Sequence, residues 1–268
     1  MGIQIDPIRE TDYIINWLKD KFADYGEETK AVIGMSGGKD STIAAALLCQ
    51  AIGPERVVGV IMPNGEMKDQ KLAANICEHL DMQYYVINIA DAVNGLYHSL
   101  YSRDIDYSNP IIATNTPARI RMTTLYAVAA TCHGRVVNTC NESEEYIGWS
   151  TKYGDNAGDF SVLRSYPVRW VKQIGYELVN RNVLKLEWID KIPDDGMCGM
   201  SDEEKFGFTY EELDEYILNR ECSSAIAAAR IKKMNKASRH KDNIRMSEPT
   251  PVSRYNDDPT KECELVWF

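Results

Sequence analysis

The sequence predicts an α/β fold: a doubly wound parallel sheet flanked by helices, with additional helices toward the C-terminus. Three observations carry this. Short apolar runs rich in β-branched residues recur, each closed by glycine, proline or asparagine. Segments with apolar residues at helical spacing lie between them. The two patterns alternate from Ile8 to Asn138, and such alternation means right-handed βαβ units around a sheet covered on both faces.

Residues 8–23 carry Ile8, Tyr13, Ile14, Trp17, Leu18 and Phe22 on one helical face. Ala31 to Met35 is an apolar run ending at glycines, as in a buried parallel strand. Asp40 opens a helix through Ala44 to Leu48, and Val57 to Met62 is the next strand, stopped by Pro63-Asn64-Gly65. A helix over 68–80, a strand over 84–89, a helix over 115–131 and a strand over 134–138 follow. Beyond residue 150 the pattern changes. Tyr153 to Asp159 and Pro193 to Gly196 read as loops. Thr209 reads as the N-cap of a helix over 210–218, with Glu212 in the capping-box position, and 224–236 is a further helix. The chain is polar from Met246, so the expected organisation is one domain over 1–245 and a tail over 246–268.

At 268 residues and 44% hydrophobic, the chain can bury a full core. No apolar run is long enough to span a bilayer, and the N-terminus lacks the charged-then-apolar signature of a secretory signal. A net charge of −10 argues against a nucleic-acid partner, whose affinity rests on neutralising phosphates. The seven cysteines are scattered, with no C-x-x-C pair. This points to reduced thiols in a cytoplasmic protein rather than to a disulfide framework or a zinc site.

The richest motif is Gly34-Met35-Ser36-Gly37-Gly38-Lys39-Asp40-Ser41, between a strand and a helix. Adjacent glycines let backbone N–H groups turn tightly onto an anion, and the helix end adds partial positive charge. Ser36 and Ser41 bring hydroxyl donors, and Asp40 brings a hard oxygen ligand for Mg²⁺ beside phosphates. The spacing is neither a Walker A loop nor a dinucleotide fingerprint.

S-G-G-x-D-S after the first strand resembles the pyrophosphate loop of the N-type ATP-pyrophosphatases, whose fold is the adenine-nucleotide alpha-hydrolase-like one. Asn115-Thr116-Pro117-Ala118-Arg119-Ile120-Arg121-Met122 resembles the N-x-Q-A-R-x-R-M stretch of NAD synthetases. Asn138-Thr139-Cys140-Asn141-Glu142-Ser143-Glu144 is similar to their G-T-x-N-x-S-E, and Thr151 to Asp155 matches T-K-Y-G-D, with Asp159 beyond. By these motifs the chain resembles the ammonia-dependent NAD synthetases.

The resemblance implies roles. Residues 34–41 and Thr139 would bind ATP, and Asp40 and Glu144 would hold Mg²⁺. Arg119, Lys152 and Asp159 would bind deamido-NAD, with His240 and Lys241 contributing from the other subunit of a homodimer. Asp155 would stand near the attacking ammonia as a catalytic carboxylate, with Lys152 beside it. Glutamine-dependent members carry a glutaminase domain upstream of the ATP domain, so free ammonia is the expected nitrogen source. Four positions depart from the family pattern: Pro117 for Gln, Cys140 for a small residue, Val168 for Lys and Asp194 for Ser or Thr. Two other readings stay open: another ATP-pyrophosphatase, such as a tRNA-modifying enzyme, and a non-catalytic nucleotide-binding protein.

Overall fold

Lys30–Gly34 forms the central strand β1, in which Ala31, Val32 and Ile33 are fully buried. A run with no solvated side must be covered on both faces, which is the parallel-sheet condition. In the computed structural model, which describes residues 5–103, 105, 108–191, 201–241 and 246–252, β1 pairs in parallel with β2 (Val57–Ile61) on one side and β4 (Gly134–Asn138) on the other. The strands β3 (Gln83–Val86) and β5 (Phe160–Ser161) add outside these, giving the order β3-β2-β1-β4-β5.

The two-residue period of the strands sorts the core. Ala31, Ile33, Val57, Ile61 and Val137 face one side, where they meet α1 (Pro7–Tyr25), α2 (Lys39–Ile52), α3 (Gln70–His79), α7 (Val168–Asn180) and α8 (Leu186–Ile189). Val32, Val58, Val60 and Val136 face the other side, against α4 (Ala90–Tyr101) and α5 (Pro110–Thr131). Helix α1 starts where Asp6 accepts hydrogen bonds from the Ile8 and Arg9 backbone. It buries Ile14, Leu18 and Phe22, the stripe its spacing predicts. Helix α5 begins at Pro110 rather than at Asn115, because Asn109 caps it and the proline suits a first turn. Pro117 lies inside this helix and is buried.

A third layer holds the additional helices: α6 (Glu142–Ile147), α9 (Asp202–Phe206), α10 (Tyr210–Asn219) and α11 (Ala225–Ser238). Ile147, Phe206, Leu213, Ile217 and Ile231 form its core. Thr209 caps α10 in a reciprocal box with Glu212, as its spacing predicts. A buried acid ties the layer to α7. Asp214, 1% exposed, accepts a 2.5 Å hydrogen bond from Ser143 Oγ and a 2.7 Å bond from the Arg169 backbone. Ser143 Oγ in turn accepts from the Val168 backbone, so one carboxylate and one hydroxyl cap the start of α7.

Residues 246–252 run beside β5 and α1. Ser161 N donates to Ser247 O, and Val252 N donates to the carboxylate of the fully buried Glu10. No helix among the described residues is long and apolar enough to cross a membrane. Cys49, Cys77, Cys132, Cys140 and Cys222 are free thiols.

Burial pushes the Asp214 carboxyl up from about 3.8 to about 6, against the pull of its Ser143 and Arg169 hydrogen bonds. The folded state therefore holds this proton more tightly than the unfolded chain does. The contribution is fully present below the unfolded value and is lost as pH rises through about 6. Unfolding free energies compared at pH 4 and pH 6.5 should show a loss in the wild type of roughly 2 kcal/mol from this group. Asp214→Asn should abolish that part of the slope.

Candidate active site

The order of the strands reverses between β1 and β4, and the crevice at their carboxyl ends is where such sheets bind ligands. The loop leaving β1 is built before any ligand arrives. Met35, 2% exposed, donates from its backbone to Val60 O and anchors the loop against β2. Gly37 has φ +76°, a left-handed conformation that side chains disfavour, and a Cβ there would meet Asp69 at 3.2 Å. Ser36 Oγ accepts from Gly38 N at 3.2 Å and lies 3.1 Å from Ser41 Oγ, which donates to Gly38 O. Ser36 remains exposed at the N-terminus of α2. A tight glycine turn, two hydroxyls and a helix end thus lie together, an arrangement suited to phosphate oxygens.

The end of β4 carries the second wall. Asn138 is 1% exposed; its Nδ2 donates to Asp155 O, and its Oδ1 accepts from Cys140 N and Ser161 Oγ. Thr139 stands next to it, partly exposed. Asn141 caps α6 in a reciprocal box with Glu144 and reaches across to α2, donating from Nδ2 to Asp40 Oδ1 at 3.3 Å. The other oxygen of Asp40 is 2.7 Å from Lys39 Nζ.

Burial and the neighbouring Asp40 push the Glu144 carboxyl above the ordinary range, while Lys39 opposes the rise. A carboxyl raised by a neighbouring carboxylate suits a cation, and Lys39 already places one there. Mg²⁺ commonly takes one or two protein carboxylates and completes its shell with phosphates and water. The pair Asp40 and Glu144 therefore fits a nucleotide-bound Mg²⁺. No group of three or more His, Cys, Asp or Glu suited to a metal occurs among the described residues.

The third wall is the loop over 151–159. Asp155 Oδ1 accepts from Thr151 N at 2.9 Å, and Asn156 Oδ1 accepts from Tyr153 N. Asp155 stays open to solvent on one side. Protein packed around its carboxyl still raises the pKa, and the Thr151 bonds pull it back. The Cys140 thiol donates to Asp155 O at 3.3 Å, so the residue that departs from the family pattern helps seat the loop. Gly158 passes so close to β4 that a Cβ would lie 2.8 Å from both the N and the Cβ of Asn138.

The cations expected at the substrate end gather here. Arg119 donates to Lys152 O at 3.2 Å. Lys152 Nζ donates to His240 O, and Lys241 Nζ donates to Gly148 O at 2.6 Å and to Ser150 O. Lys241 thus reaches the loop of its own chain and also acts electrostatically on Asp155. His240 is exposed and its Nδ1 lies 3.0 Å from Ala237 O. Asp159 is bonded to the sheet. Its Oδ2 accepts from Val136 N at 2.7 Å, and it holds the Tyr126 hydroxyl. Val168, at the position of the expected lysine, is buried in the core of the C-terminal layer. Asp194 lies outside the described residues. A cavity of about 370 Å³ on α11, lined by Tyr146, Tyr216, Lys232 and Arg239 among others, borders none of these side chains.

Three contributors do not stand out in the sequence. Asn138 and Asn141 stitch the walls together, and their signal is a pair of asparagines at the end of an apolar strand. Arg121, rather than Arg119, is the half-buried arginine that acts on Asp155, donating to Met62 O as it passes. The close approach at Gly158 yields a direct test. Gly158→Ala should cost ~1–3 kcal/mol in chemical denaturation, because backbone rather than a flexible side chain stands in the way. A midpoint within error of the wild type would contradict the packing described.

Comparisons with known proteins place the chain in a family. The family model described as NAD synthase matches residues 10–246. The NH(3)-dependent NAD(+) synthetase of Carboxydothermus hydrogenoformans is 32% identical, over 88% of this chain and 95% of its own length. That of Methanoregula boonei is 37% identical, over 72% of this chain and 75% of its own. Among solved structures, the NMN synthetase of Francisella tularensis superposes with a TM-score of 0.80 at 32% identity, covering 91% of this chain and 99% of that one. With a match of this extent, and with the motif segments meeting at one crevice, the chain belongs to the NAD synthase family.

Proposed function

We propose that this protein is an ammonia-dependent NAD synthetase: it amidates deamido-NAD to NAD with ATP and ammonia, releasing AMP and pyrophosphate. The observation that carries the reading is the junction of the three walls. Asn141 ties the β4 end to Asp40 of the pyrophosphate loop, and Asn138 and Cys140 tie it to Asp155. The phosphate cradle and the amidation carboxylate are thereby held on one rigid strand end, on which a two-step transfer depends.

The proposed chemistry has two displacements. An oxygen of the nicotinate carboxylate bonds to the α-phosphorus of ATP, and the bond to pyrophosphate breaks. Ammonia then bonds to the acyl carbon, the acyl–oxygen bond breaks, and AMP leaves. Gly34, Met35, Ser36, Gly37, Gly38, Lys39, Asp40 and Ser41, with Thr139, are proposed to line the ATP site. Backbone donors of this loop stabilise the departing pyrophosphate. Asp40 and Glu144 would hold Mg²⁺, which when bound neutralises triphosphate charge. Asp155 accepts the proton that ammonia sheds; its raised pKa makes it a better base than an open carboxylate. Arg119, Lys152 and Lys241 supply positive charge for the substrate's phosphates. Lys152 stands next to the reacting end. His240 and Asp159 complete the proposed substrate set, Asp159 by bracing the loop.

The Francisella relative favours a second reading, in which the acceptor is the mononucleotide of nicotinate and the product is NMN. A coupled assay separates the two. With Mg-ATP and ammonium, deamido-NAD should give NAD and stoichiometric pyrophosphate, and glutamine should not replace ammonium. A kcat/KM at least tenfold higher for nicotinate mononucleotide would transfer the assignment to the second reading. Asp155→Asn should lower kcat for amidation about 100-fold or more; full activity would remove Asp155 from its role.

A homodimer is part of the proposal, and a face of the molecule supports it. Tyr85 and Val86 on the edge strand β3, Leu96 and Tyr101 on α4, and Ile111 on α5 are 42–67% exposed. The long helix α5 buries only Pro117 and Ala129 although it is largely apolar. A second copy seated on this face would bury it. Light scattering should give twice the 30.4 kDa chain mass. Leu96→Glu with Ile111→Glu should yield monomer, and a monomeric wild type would contradict the dimer.

A further inference from the structure

Lys39 occupies the variable position of the pyrophosphate loop, and its surroundings are unusual for a lysine. Its side chain is 4% exposed. The amine lies 2.7 Å from Asp40 Oδ2 and about 6.0 Å from the centre of the Tyr210 ring. Burial works against its charge. Asp40, Glu144 and Asp202 together outweigh that penalty and hold the pKa above the ordinary lysine value. These acids come from three separate segments, α2, α6 and α9, and converge on one amine. Asp202 is itself held in place by the Tyr210 hydroxyl.

Both oxygens of Asp40 are engaged in this state. Oδ2 pairs with Lys39, and Oδ1 accepts from Asn141. A divalent ion drawn to this carboxylate would meet an ammonium a few ångströms away, and like charges repel strongly at that distance in a buried setting. A triphosphate changes the balance, because it brings its own negative charge and oxygen ligands with the metal.

We propose that Lys39 is a built-in counter-cation for the Asp40–Glu144 pair, so that the free protein refuses divalent metal and admits it only together with a triphosphate nucleotide. The inference rests on the reading that Asp40 and Glu144 are the Mg²⁺ ligands. It gives Lys39 a role distinct from contacting phosphate. The lysine prevents the three acids from repelling one another when the site is empty, and it makes metal and nucleotide enter as one species.

The test uses Mn²⁺, whose oxygen-ligand preferences match those of Mg²⁺, read by the loss of its free EPR signal. Wild type, Lys39→Gln and Lys39→Arg are each titrated without nucleotide and with α,β-methylene-ATP. Without nucleotide, wild type and Lys39→Arg should bind Mn²⁺ at least tenfold more weakly than Lys39→Gln. With the analogue, all three should take it up. In parallel, MgCl₂ alone should raise the thermal midpoint of Lys39→Gln and leave that of the wild type unchanged. Should Lys39→Gln fold only when Mg²⁺ is present, that is the expected result in a stronger form. Lys39→Met, which keeps most of the stem, serves where Gln does not fold at all. Nucleotide-free wild type binding Mn²⁺ as tightly as the charge-free variant would overturn the inference while leaving the metal ligands in place. Absence of uptake by the wild type even with the analogue would overturn the assignment of Asp40 and Glu144, and the inference with it.

Discussion

The parallel pairing of β1 with β4 is the constraint on which the rest depends. Ile33 stands beside Val137, so the two strands end level and release their loops into the same space. Helix α2 then points its N-terminus at that space, and α6 begins opposite it. Gly134 is needed for the strands to lie this close, since a Cβ there would meet a methyl of Val32 at 2.6 Å. Every later feature of the site, from the Asn141–Asp40 hydrogen bond to the seating of Asp155, is a cross-link between two loops already brought together by this register.

These cross-links are polar and largely buried, which sets their energetic character. Asn138 satisfies three partners from one amide, and Asp214 satisfies two, at a position where either would be costly if left alone. Such groups add little net stability when fully paired, but they allow one arrangement of the surrounding loops and penalise others. The Lys39 cluster follows the same logic with full charges. Its carboxylates are tolerable because an ammonium stands among them, and a site suited to a dication stays intact without one.

Much of this is legible in the chain. The strand runs from Ala31, Val57 and Gly134 lie where their apolar residues indicate, because a strand buried on both faces leaves a continuous signature. The box of Thr209 with Glu212 marks the start of α10 to the residue, since capping is a local matter. The loop over 34–41 is marked by its glycines, serines and aspartate between a strand and a helix. Helix α4 and strand β5 are not legible. The first exposes most of its length, and the second is two residues whose partner is supplied by β4. Helix α7 is strongly amphipathic and starts directly after Pro167, with no side-chain cap of its own to mark it. The candidate site residues divide in the same way. Asp40, Glu144 and Asp155 are marked by motif, whereas the supporting roles of Asn138, Arg121 and Asp214 come from contacts between distant segments. Asp159 shows the converse: its place in a motif suggests substrate, and its carboxylate holds the backbone of β4 and the hydroxyl of Tyr126.

The central claim is that this crevice activates a carboxylate by joining it to AMP before nitrogen arrives. Isotope exchange between labelled pyrophosphate and ATP isolates that step. With deamido-NAD present and ammonia rigorously excluded, label should enter ATP, and omission of deamido-NAD should stop it. Exchange that proceeds without the nicotinate nucleotide, or none with it while amidation continues, would contradict the account.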